Sequence, residues 1–407
     1  MKVLVLNCGS SSVKFQLIET DKNAMETGTE KCLAKGRIER IGKQDSWITY
    51  EPAGSPKFKE TKPVENHSSA IEEMIKLLTS SDKGVIKDVK EIGAVGHRTV
   101  HGGEDFTESV LWNDKVLTAV EECCKLAPLH NPHNITGYKA AKAILNDVPH
   151  AAVFDTSFHH TIPPVAYLYG LPYKFYTEDK IRRYGFHGTS HRYVSQRAAN
   201  LLNKPLKELN IITIHLGNGS SIAAVKQGES IDTTMGFTPL EGLIMGTRCG
   251  DIDPSIPLHI MKTKGLTADQ VDDLMNKKSG LLGLSELSND MLDLENAMYG
   301  GNQQAKTAME AFCYRIKKYI GSYSAAMNGV DAVVFTGGIG ENAVEIREWS
   351  CSNLDRLGIK IDVAKNKELN RSEGIISSPD SKVTVMIVPT NEELLIARDT
   401  FKLINSK

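Results

Sequence analysis

The sequence predicts an α/β protein built from two like-folded halves. Residues 3–18 read VLVLNCGSSSVKFQLI and residues 211–225 read IITIHLGNGSSIAAV. In both, an apolar, β-branched run leads into a glycine and two serines and then into a second apolar run, which is the pattern of a β-hairpin. Strand-like and helix-like segments alternate along the rest of the chain, as they do in α/β folds.

Size and composition narrow the class of protein. A chain of 407 residues is too long for one ordinary core, so two domains are expected. Hydrophobic residues make up 41% and charged residues 24%, which is typical of a globular chain. The 48 basic and 50 acidic residues give a formal net charge of −2, which argues against binding to nucleic acid or membranes.

Targeting and redox signals point to the cytoplasm. No apolar run approaches the roughly 18 residues of a membrane helix, and the first apolar run is too short for a secretory signal. The seven cysteines contain no CxxC pair. We therefore expect reduced thiols in a cytoplasmic protein.

The tips of the two hairpins are candidate phosphate sites. In the first, Asn7 precedes a glycine, Ser10 and Ser12 supply hydroxyls, and Lys14 supplies a cation. Concavities of backbone N–H groups bind anions, phosphate above all. One such turn is equally well explained as an ordinary Ser-rich hairpin. The second copy at Gly219, together with the lysine, favours phosphate and hence an enzyme that uses ATP.

A third glycine-rich turn leaves an alternative open. It runs from Gly337 to Ala343, after a predicted strand at Ala332–Phe335, and opens a helix whose N-terminus attracts anions. It also matches the dinucleotide fingerprint G-x-G-x-x-A, with Asp362 as the acid at the end of the next predicted strand, 24 residues after Gly338. A nicotinamide-dependent oxidoreductase is therefore a rival hypothesis. Against it, the motif lies late in the chain, and Glu341 would stand beside a pyrophosphate.

Cations and histidines in polar turns are candidates for anion binding. Arg98 and Arg248 lie in glycine-rich turns, GHRTVHGGE and MGTRCGDIDP. Their guanidinium forks match the oxygens of carboxylates and phosphates. His187 and His191 have the spacing of a zinc protease, but Gly188 stands where such a protease needs Glu. A histidine that donates to a phosphoryl oxygen fits better.

Acidic residues complete the candidate site. Asp155 ends the predicted strand Ala151–Phe154, and Glu392 and Glu393 follow the predicted strand Val383–Val388 and open the last helix. A Glu there either stabilises the helix N-terminus or binds Mg²⁺, which takes one or two carboxylates with phosphate oxygens and water.

Nine segments give the chain a close resemblance to the acetokinase family over nearly its whole length: NCGSSSVKF, GHRTVHGGE, APLHNP, FDTSFH, YGFHGTSH, HLGNGSS, MGTRCGDIDP, FTGGIGEN and PTNEE. The family belongs to the sugar kinase/Hsp70/actin superfamily. The resemblance implies two duplicated actin-like, ribonuclease H-like domains flanking a cleft. We place the N-terminal domain at residues 1–154 plus about 394–407, and the nucleotide-binding C-terminal domain at 155–393.

The resemblance also implies an activity. Family members transfer the γ-phosphoryl group of ATP reversibly to acetate, in line, giving acetyl phosphate and ADP. They use Mg²⁺, with Mn²⁺ as a possible substitute, and are homodimers. Because acetic acid has a pKa of about 4–5 and is ionised at pH 7, the reaction needs no strong base. We therefore expect Asp155 to hold Mg²⁺ or its water rather than to take a proton.

Individual roles follow from motif positions in the family. The implied catalytic residues are Arg98, His130, Asp155, His187 and Arg248. The implied acetate pocket comprises Arg98, Val100, Leu129, Phe186 and Pro239. The implied metal ligands are Asn7 and Glu392. The implied nucleotide and phosphate contacts are Ser10, Ser12, Lys14, His215, Leu216, Gly217, Asn218, Gly219, Asp290, Met291, Leu292, Gly338, Ile339, Gly340, Glu341 and Asn342.

Two positions depart from the family pattern. Cys249 follows Arg248 where many members have Ser. Leu292 takes the place of the Arg in an Asp-x-Arg nucleotide contact of the family, whose Asp is retained as Asp290. Nucleotide affinity or base preference is therefore open. The choice of acid is open too, because one methylene in a pocket is worth only about 1–3 kcal/mol. Kinases for propionate or butyrate thus remain alternatives, as does a non-enzymatic member of the same architecture, against which Arg98 argues.

Overall fold

A computed structural model describes residues 1–127 and 130–406. Packing divides the chain into two compact units, Met1–Ser157 with the segment from Asn391 onward, and Phe158–Thr390. The first unit therefore ends three residues later than expected (157 against 154), and the chain returns to it three residues earlier (391 against 394). As a result, Asp155 and Glu392 belong to the first unit, not to the second.

The first unit is built on an eight-stranded sheet with the order β5-β4-β3-β2-β1-β6-β8-β7. Its strands are β1 Lys2–Cys8, β2 Ser12–Glu19, β3 Lys31–Glu39, β4 Trp47–Pro52, β5 Phe58–Thr61, β6 Ile92–Thr99, β7 Val110–Leu111 and β8 His150–Phe154. Its helices, numbered along the whole chain, are α1 Lys22–Thr27, α2 His67–Leu78, α3 Asp114–Glu122, α4 Asn131–Ile144 and α16 Glu392–Asn405.

The second unit is built on a six-stranded sheet with the order β11-β10-β9-β12-β14-β13. Its strands are β9 Asn210–Leu216, β10 Ser220–Lys226, β11 Glu229–Thr233, β12 Ala332–Thr336, β13 Gly374–Ile375 and β14 Thr384–Ile387. Its helices are α5 Pro164–Tyr167, α6 Lys174–Thr177, α7 Gly188–Leu201, α8 Ser255–Lys264, α9 Ala268–Lys277, α10 Gly280–Ser285, α11 Met291–Tyr299, α12 Gln303–Met327, α13 Gly337–Asn342, α14 Val344–Cys351 and α15 Val363–Glu368.

The two sheets share one topology. In the first, β3, β2 and β1 pair antiparallel, and β6 and β8 continue parallel to β1. In the second, β11, β10 and β9 pair antiparallel, and β12 and β14 continue parallel to β9. Each sheet then gains a short antiparallel edge strand, β7 or β13. This shared strand order confirms the prediction of two like-folded α/β halves. The predicted hairpins are β1–β2 in the first sheet and β9–β10 in the second.

The central strands are buried on both faces, which explains their unbroken apolar runs. On β1, Val3 and Val5 pack with Ile396 and Ala397 of α16. Its other face, at Leu4, packs with residues of α2 and α4. On β9, the alternate faces likewise pack against α12 and α7. Polar side chains on these strands therefore emerge at the carboxyl ends, where parallel α/β sheets place their sites.

Two further observations concern the whole described chain. None of the helices within residues 1–127 and 130–406 combines the length and apolar character that a membrane span requires. The seven cysteines all lie in these residues and form no disulfide.

Candidate active site

In the first unit, Arg98 near the end of β6 lies between two acids, Asp155 directly after β8 and Glu392 at the start of α16. Its Nη2 donates to Oδ2 of Asp155 at 2.9 Å, and its Nε lies 3.4 Å from Oε2 of Glu392. The Asp155 side chain is 1% exposed and that of Arg98 is 16% exposed. Because this ion pair is largely shielded from water, its attraction is stronger than that of a surface pair. It fixes the direction in which the guanidinium points.

The start of α16 adds a second acid beside Glu392. Burial raises the pKa of Glu393, and the neighbouring Glu392 raises it further, while Lys14 and Arg98 lower it. The three carboxylates are those of Asp155, Glu392 and Glu393, and the two cations near them are Arg98 and Lys14. This excess of negative charge attracts a further cation. Among the described residues no three His, Cys, Asp or Glu side chains are grouped as a complete metal site. Mg²⁺ needs only one or two carboxylates when phosphate and water supply the rest, so this acidic edge fits it.

The first hairpin tip exposes polar side chains, and hydrogen bonds hold its backbone. Asn7 is half-buried at the end of β1, whereas Ser10 and Lys14 are exposed. The Gly9 N–H donates to the carbonyl of Ser12 at 2.8 Å, which closes the turn. The Gly9 carbonyl accepts a hydrogen bond from Nε2 of His67 at 2.8 Å. The tip therefore has a fixed backbone and exposed polar side chains.

Two buried asparagines on the first turn of α4 hold the segment that follows Arg98. Asn134 accepts from the Val100 N–H at 3.0 Å and donates to the Cys8 carbonyl at 3.0 Å. Asn131 accepts from the His101 N–H at 3.0 Å and donates to its carbonyl at 2.9 Å. One amide thus connects the end of β1 to Val100, and both asparagines make the segment rigid.

The remaining residues predicted in this region are near these asparagines in sequence. His130 is half-buried directly before α4, and its carbonyl accepts from the Asn134 N–H at 3.0 Å. Val100 is 2% exposed. Leu129 lies outside the described residues.

In the second unit, His187 lies at a strained turn before α7. Its φ of 56° is in the left-handed region, which costs a residue with a side chain about 1–3 kcal/mol. Its ring stacks on His215 with centroids 4.3 Å apart, and its Nδ1 lies 2.9 Å from Oγ of Ser221. Nδ1 of His215 lies 2.8 Å from Oγ of Ser190. Such strain is usually retained where function requires the conformation.

Arg248 is a half-buried cation without an acidic partner in the part of the chain that the structure describes. Its Nη1 donates to the carbonyl of Pro239 at 3.2 Å and approaches Sδ of Met245 at 3.8 Å. Burial lowers the pKa of Arg248, and no acid of the described chain offsets this. A methyl group placed on Gly219 would lie 3.3 Å from Arg248 Nη1 and 3.6 Å from Nε2 of His187. The guanidinium, the imidazole and the second hairpin tip are therefore neighbours, and the positive charge is available to an anion.

The second hairpin tip packs on the loop that carries Arg248. The Gly217 N–H donates to the Gly219 carbonyl at 3.1 Å, and the Asn218 carbonyl accepts from the Gly246 N–H at 3.0 Å. A Cβ on Gly246 would lie 2.1 Å from Oδ1 of Asn218, so a larger residue there would displace the Asn218 side chain. Leu216 is fully buried.

Phe186 is also buried, and Cys249 is half-buried. The Phe186 carbonyl accepts from Nε2 of His159 at 3.0 Å. The Cys249 thiol donates to the Gly250 carbonyl at 3.2 Å, and burial raises its pKa.

The third glycine turn differs from its prediction. Residues Gly337–Asn342 themselves form the short helix α13, and a separate helix follows from Val344. Oε1 of Glu341 accepts from the Gly337 N–H at 2.9 Å and from the Thr390 N–H at 3.2 Å. Gly338 is exposed and open, whereas Gly340 is buried and Ile339 is half-buried. The chain's own carboxylate therefore takes the N–H that a phosphate was expected to bind.

The segment Asp290 to Leu292 begins α11. Asp290 accepts from the Leu292 N–H at 2.8 Å as the N-cap, Met291 is buried, and Leu292 is 62% exposed. An apolar side chain thus lies on the surface where the family usually has a cation.

Comparison with known proteins decides the family. The profile of the acetokinase family matches residues 2–398. The chain belongs to the acetokinase family. The acetate kinase of Thermoanaerobacterium thermosaccharolyticum is 58% identical over 407 residues, all of both chains. That of Thermotoga maritima is 56% identical over 406 residues, 99% of both.

Solved structures of the family agree over the whole fold. The Porphyromonas gingivalis acetate kinase has a TM-score of 0.94 at 46% identity, covering 99% of this chain and 100% of that chain. A propionate kinase from Francisella tularensis has a TM-score of 0.91 at 42% identity, covering 99% of both. The family expected from the nine segments is thereby confirmed.

The dinucleotide alternative finds no support in this family fold. Asp362 lies before α15 and caps it, accepting from the Ala364 and Lys365 N–H groups at 3.0 and 3.1 Å. It is therefore a helix cap, not a ribose-binding acid at a strand end. The six-residue α13 and the antiparallel start of the sheet also differ from a dinucleotide-binding unit, which is parallel throughout.

Several residues that support the site were missed in the sequence. Besides Asn131 and Asn134, these include Arg347, which is fully buried and donates to the Gly340 carbonyl at 2.9 Å and to Oδ1 of Asn366 at 2.7 Å. Burial lowers the pKa of Arg347 to about 10. The guanidinium fixes the position of α13 through its hydrogen bond to the Gly340 carbonyl. The spacing of the two asparagines on one helix face was an available signal, whereas nothing local distinguishes Arg347 from a surface arginine.

Proposed function

We propose that this protein reversibly transfers the γ-phosphoryl group of ATP to acetate, giving acetyl phosphate and ADP. The observation that carries the proposal is Arg248, a half-buried guanidinium with no acidic partner among the described residues, next to His187 and the tip at Gly219. Joining a carboxylate to a triphosphate brings like charges together. Fixed positive charge in a site of low water content is what stabilises such a transfer.

Acid–base demands on the site are small. Acetate is already ionised at neutral pH, so positioning and charge do most of the work. Asp155 already accepts a hydrogen bond from Arg98, which supports a role in orientation and metal binding over proton abstraction. We assign Arg98 to the acetate carboxylate, and Arg248 and His187 to the transferred phosphoryl group. His130 is assigned as a further catalytic residue from its position in the family motif.

Asn7, Asp155 and Glu392 would hold Mg²⁺, or Mn²⁺ in its place. The surplus of carboxylates over cations at the start of α16 supports this assignment. When bound with ATP, the ion neutralises part of the phosphate charge. Metal titration of the activity, compared between wild type and Asp155→Asn, tests it. If the variant kept the wild-type Mg²⁺ dependence while its activity fell steeply, Asp155 would have another role.

The nucleotide assignment uses both hairpins and α13. The exposed Ser10 and Lys14, with Ser12, would contact phosphate. The segments His215 to Gly219 and Gly338 to Asn342 would contact the rest of ATP, and the open surface at Gly338 supports this. Beside Asp290 and Met291, the exposed Leu292 offers the nucleotide apolar contact in place of an ionic one.

Acetate is preferred over longer acids on the strength of the relatives. The acetate kinases at 53–58% identity favour acetate. The structural neighbour named a propionate kinase, at 42% identity, makes propionate the second candidate. By their positions in the family motifs, we assign Val100, Phe186, Pro239 and Leu129 to the binding of the acetate methyl group. We also propose that the protein is a cytoplasmic homodimer, for which sedimentation at several concentrations is the test.

The test of the activity is formation of acyl phosphate. The protein is incubated with ATP, Mg²⁺ and acetate, propionate or butyrate in parallel, and the acyl phosphate is trapped with hydroxylamine while ADP is measured. We expect acetyl hydroxamate and ADP in equal amounts and the highest kcat/KM with acetate. A higher kcat/KM with propionate would reassign the substrate, and no hydroxamate with any of the three acids would overturn the proposal.

A further inference from the structure

A chain of hydrogen-bonded side chains runs from His187 into the core of the second unit. Oγ of Ser221 lies 2.9 Å from His187 Nδ1 and 2.7 Å from His191 Nε2. Nδ1 of His191 lies 2.7 Å from Oγ1 of Thr213. His187 and His191 flank the first turn of α7, Ser221 lies on β10, and Thr213 lies on β9. Ser221, His191 and Thr213 are fully buried.

The direction of this chain follows from its buried end. Oγ1 of Thr213 forms a side-chain hydrogen bond with His191 Nδ1 and with no other group of the described residues. If Thr213 accepted a proton there, its own O–H would be a buried donor without a partner, which is costly. Thr213 therefore donates to Nδ1 of His191.

The remaining links are then determined one by one. Neutral His191 with an accepting Nδ1 carries its proton on Nε2, which donates to Oγ of Ser221. The Ser221 hydroxyl, having accepted, donates its own proton to Nδ1 of His187. A neutral His187 with an accepting Nδ1 carries its proton on Nε2, since the bond at one ring nitrogen decides the state of the other.

We propose that Thr213, His191 and Ser221 form a directional relay that fixes the Nε2–H tautomer of His187 and so makes it a permanent hydrogen-bond donor. The proposal rests on the proposed phosphoryl transfer. His187 Nε2 is the ring nitrogen near Gly219 and the Arg248 guanidinium. Phosphoryl oxygens only accept hydrogen bonds, so an N–H at this position attracts them, whereas a lone pair would repel them.

The relay also explains three residues that no direct contact with a substrate requires. Each is a positioning residue that acts through His187. The Thr213 hydroxyl donates to Nδ1 of His191 and so places the His191 proton on Nε2. His191 then donates to Ser221, and Ser221 donates to Nδ1 of His187. Replacing Thr213 with Ser keeps the donor, whereas replacing it with Val removes the donor and leaves the direction undetermined.

The test reads the tautomer directly in the full-length protein. Histidine is labelled with ¹⁵N, and long-range ¹H–¹⁵N correlations at pH 8, well above the ordinary imidazole pKa of about 6.5, show which ring nitrogen of His187 carries the proton. The samples are wild type, Ser221→Ala, Thr213→Val, Thr213→Ser and a buried control, Ser195→Ala. The control hydroxyl donates only to the carbonyl of Arg192, outside the relay.

We expect the Nε2–H form in wild type, Thr213→Ser and Ser195→Ala, and a mixture of tautomers in Ser221→Ala and Thr213→Val. In acyl phosphate formation, kcat should fall about tenfold in the last two, the equivalent of one lost hydrogen bond, with little change in acetate KM. An Nδ1–H form in wild type, or an unmixed Nε2–H form in both Ser221→Ala and Thr213→Val, overturns the relay. Since the tautomer is read without substrate, absent activity in wild type would contradict the proposed function alone. If Ser221→Ala does not fold, the Val and Ser variants at Thr213 decide.

Discussion

Replacing Arg248 with Met should separate activity from stability. Methionine keeps an unbranched apolar stem but removes the guanidinium. For activity, loss of a group that stabilises charge in the transition state costs about 2.7–4 kcal/mol, so kcat/KM should fall by a factor of about 10² to 10³.

The stability of the same variant follows from the partners of Arg248. The substitution loses one charged hydrogen bond, to the Pro239 carbonyl at 3.2 Å, worth about 1.5–3 kcal/mol. It also removes a half-buried guanidinium that no acid of the described chain neutralises, and the cost of burying that charge offsets the lost hydrogen bond. The free energy of unfolding should therefore stay the same or rise by about 1 kcal/mol.

A matched control is Arg315→Met in the same unit. Arg315 donates to the carbonyls of Gly242 and Asp251 and lies 3.4 Å from Oδ2 of Asp251. Its removal deletes these two hydrogen bonds and the ion pair with Asp251, so the control should lose stability. Urea unfolding followed by circular dichroism and the hydroxamate assay give both quantities. If Arg248→Met lost as much stability as the control, the unpaired-cation reasoning would be refuted.

Three further predictions concern the first unit. Arg98→Met should raise the acetate KM markedly and the ATP KM little, measured at several Mg²⁺ concentrations; equal rises in both would mean that Arg98 does not read the carboxylate. Glu393→Gln should be more stable than wild type at pH 7 and equal to it near pH 4. The raised pKa makes the ionised form costly, and this cost is absent below the ordinary value of 4.5 and grows as the pH rises through the raised value. Urea unfolding at both pH values checks the sign, and a variant less stable at pH 7 would contradict it. Gly137→Ala places a Cβ 2.3 Å from the Cys8 Sγ and should cost about 1–3 kcal/mol in the free energy of unfolding, part of which the added Cys8→Ala restores.

The parts of the site that lie at strand ends could be predicted from the sequence. Asn7, Arg98 and Asp155 each follow an apolar run, and the carboxyl ends of parallel strands meet at one edge of a sheet. The ion pair between Arg98 and Asp155 joins residues 57 positions apart through that rule alone. The two hairpins were likewise predictable, because two apolar runs joined by a glycine-serine turn are a local signal.

Other parts depend on tertiary contacts between residues that lie far apart in the sequence. Asn134 reaches the Cys8 carbonyl, 126 positions away, and its role appears only once α4 lies against β1. Glu341 accepts the N–H of Thr390, 49 positions away, so the turn that resembles a phosphate loop is closed by its own carboxylate. Asp362 was predicted at a strand end because an apolar run precedes it, yet a helix begins at the next residue.

The most direct measurement of the central claim is the rate of acetyl hydroxamate formation from ATP, Mg²⁺ and acetate by wild type and by Arg248→Met. We predict that wild type forms acetyl hydroxamate and ADP in equal amounts and that the folded variant does so at no more than about one hundredth of that rate. Comparable rates in the two proteins would show that the half-buried guanidinium without an acidic partner does not serve the transfer.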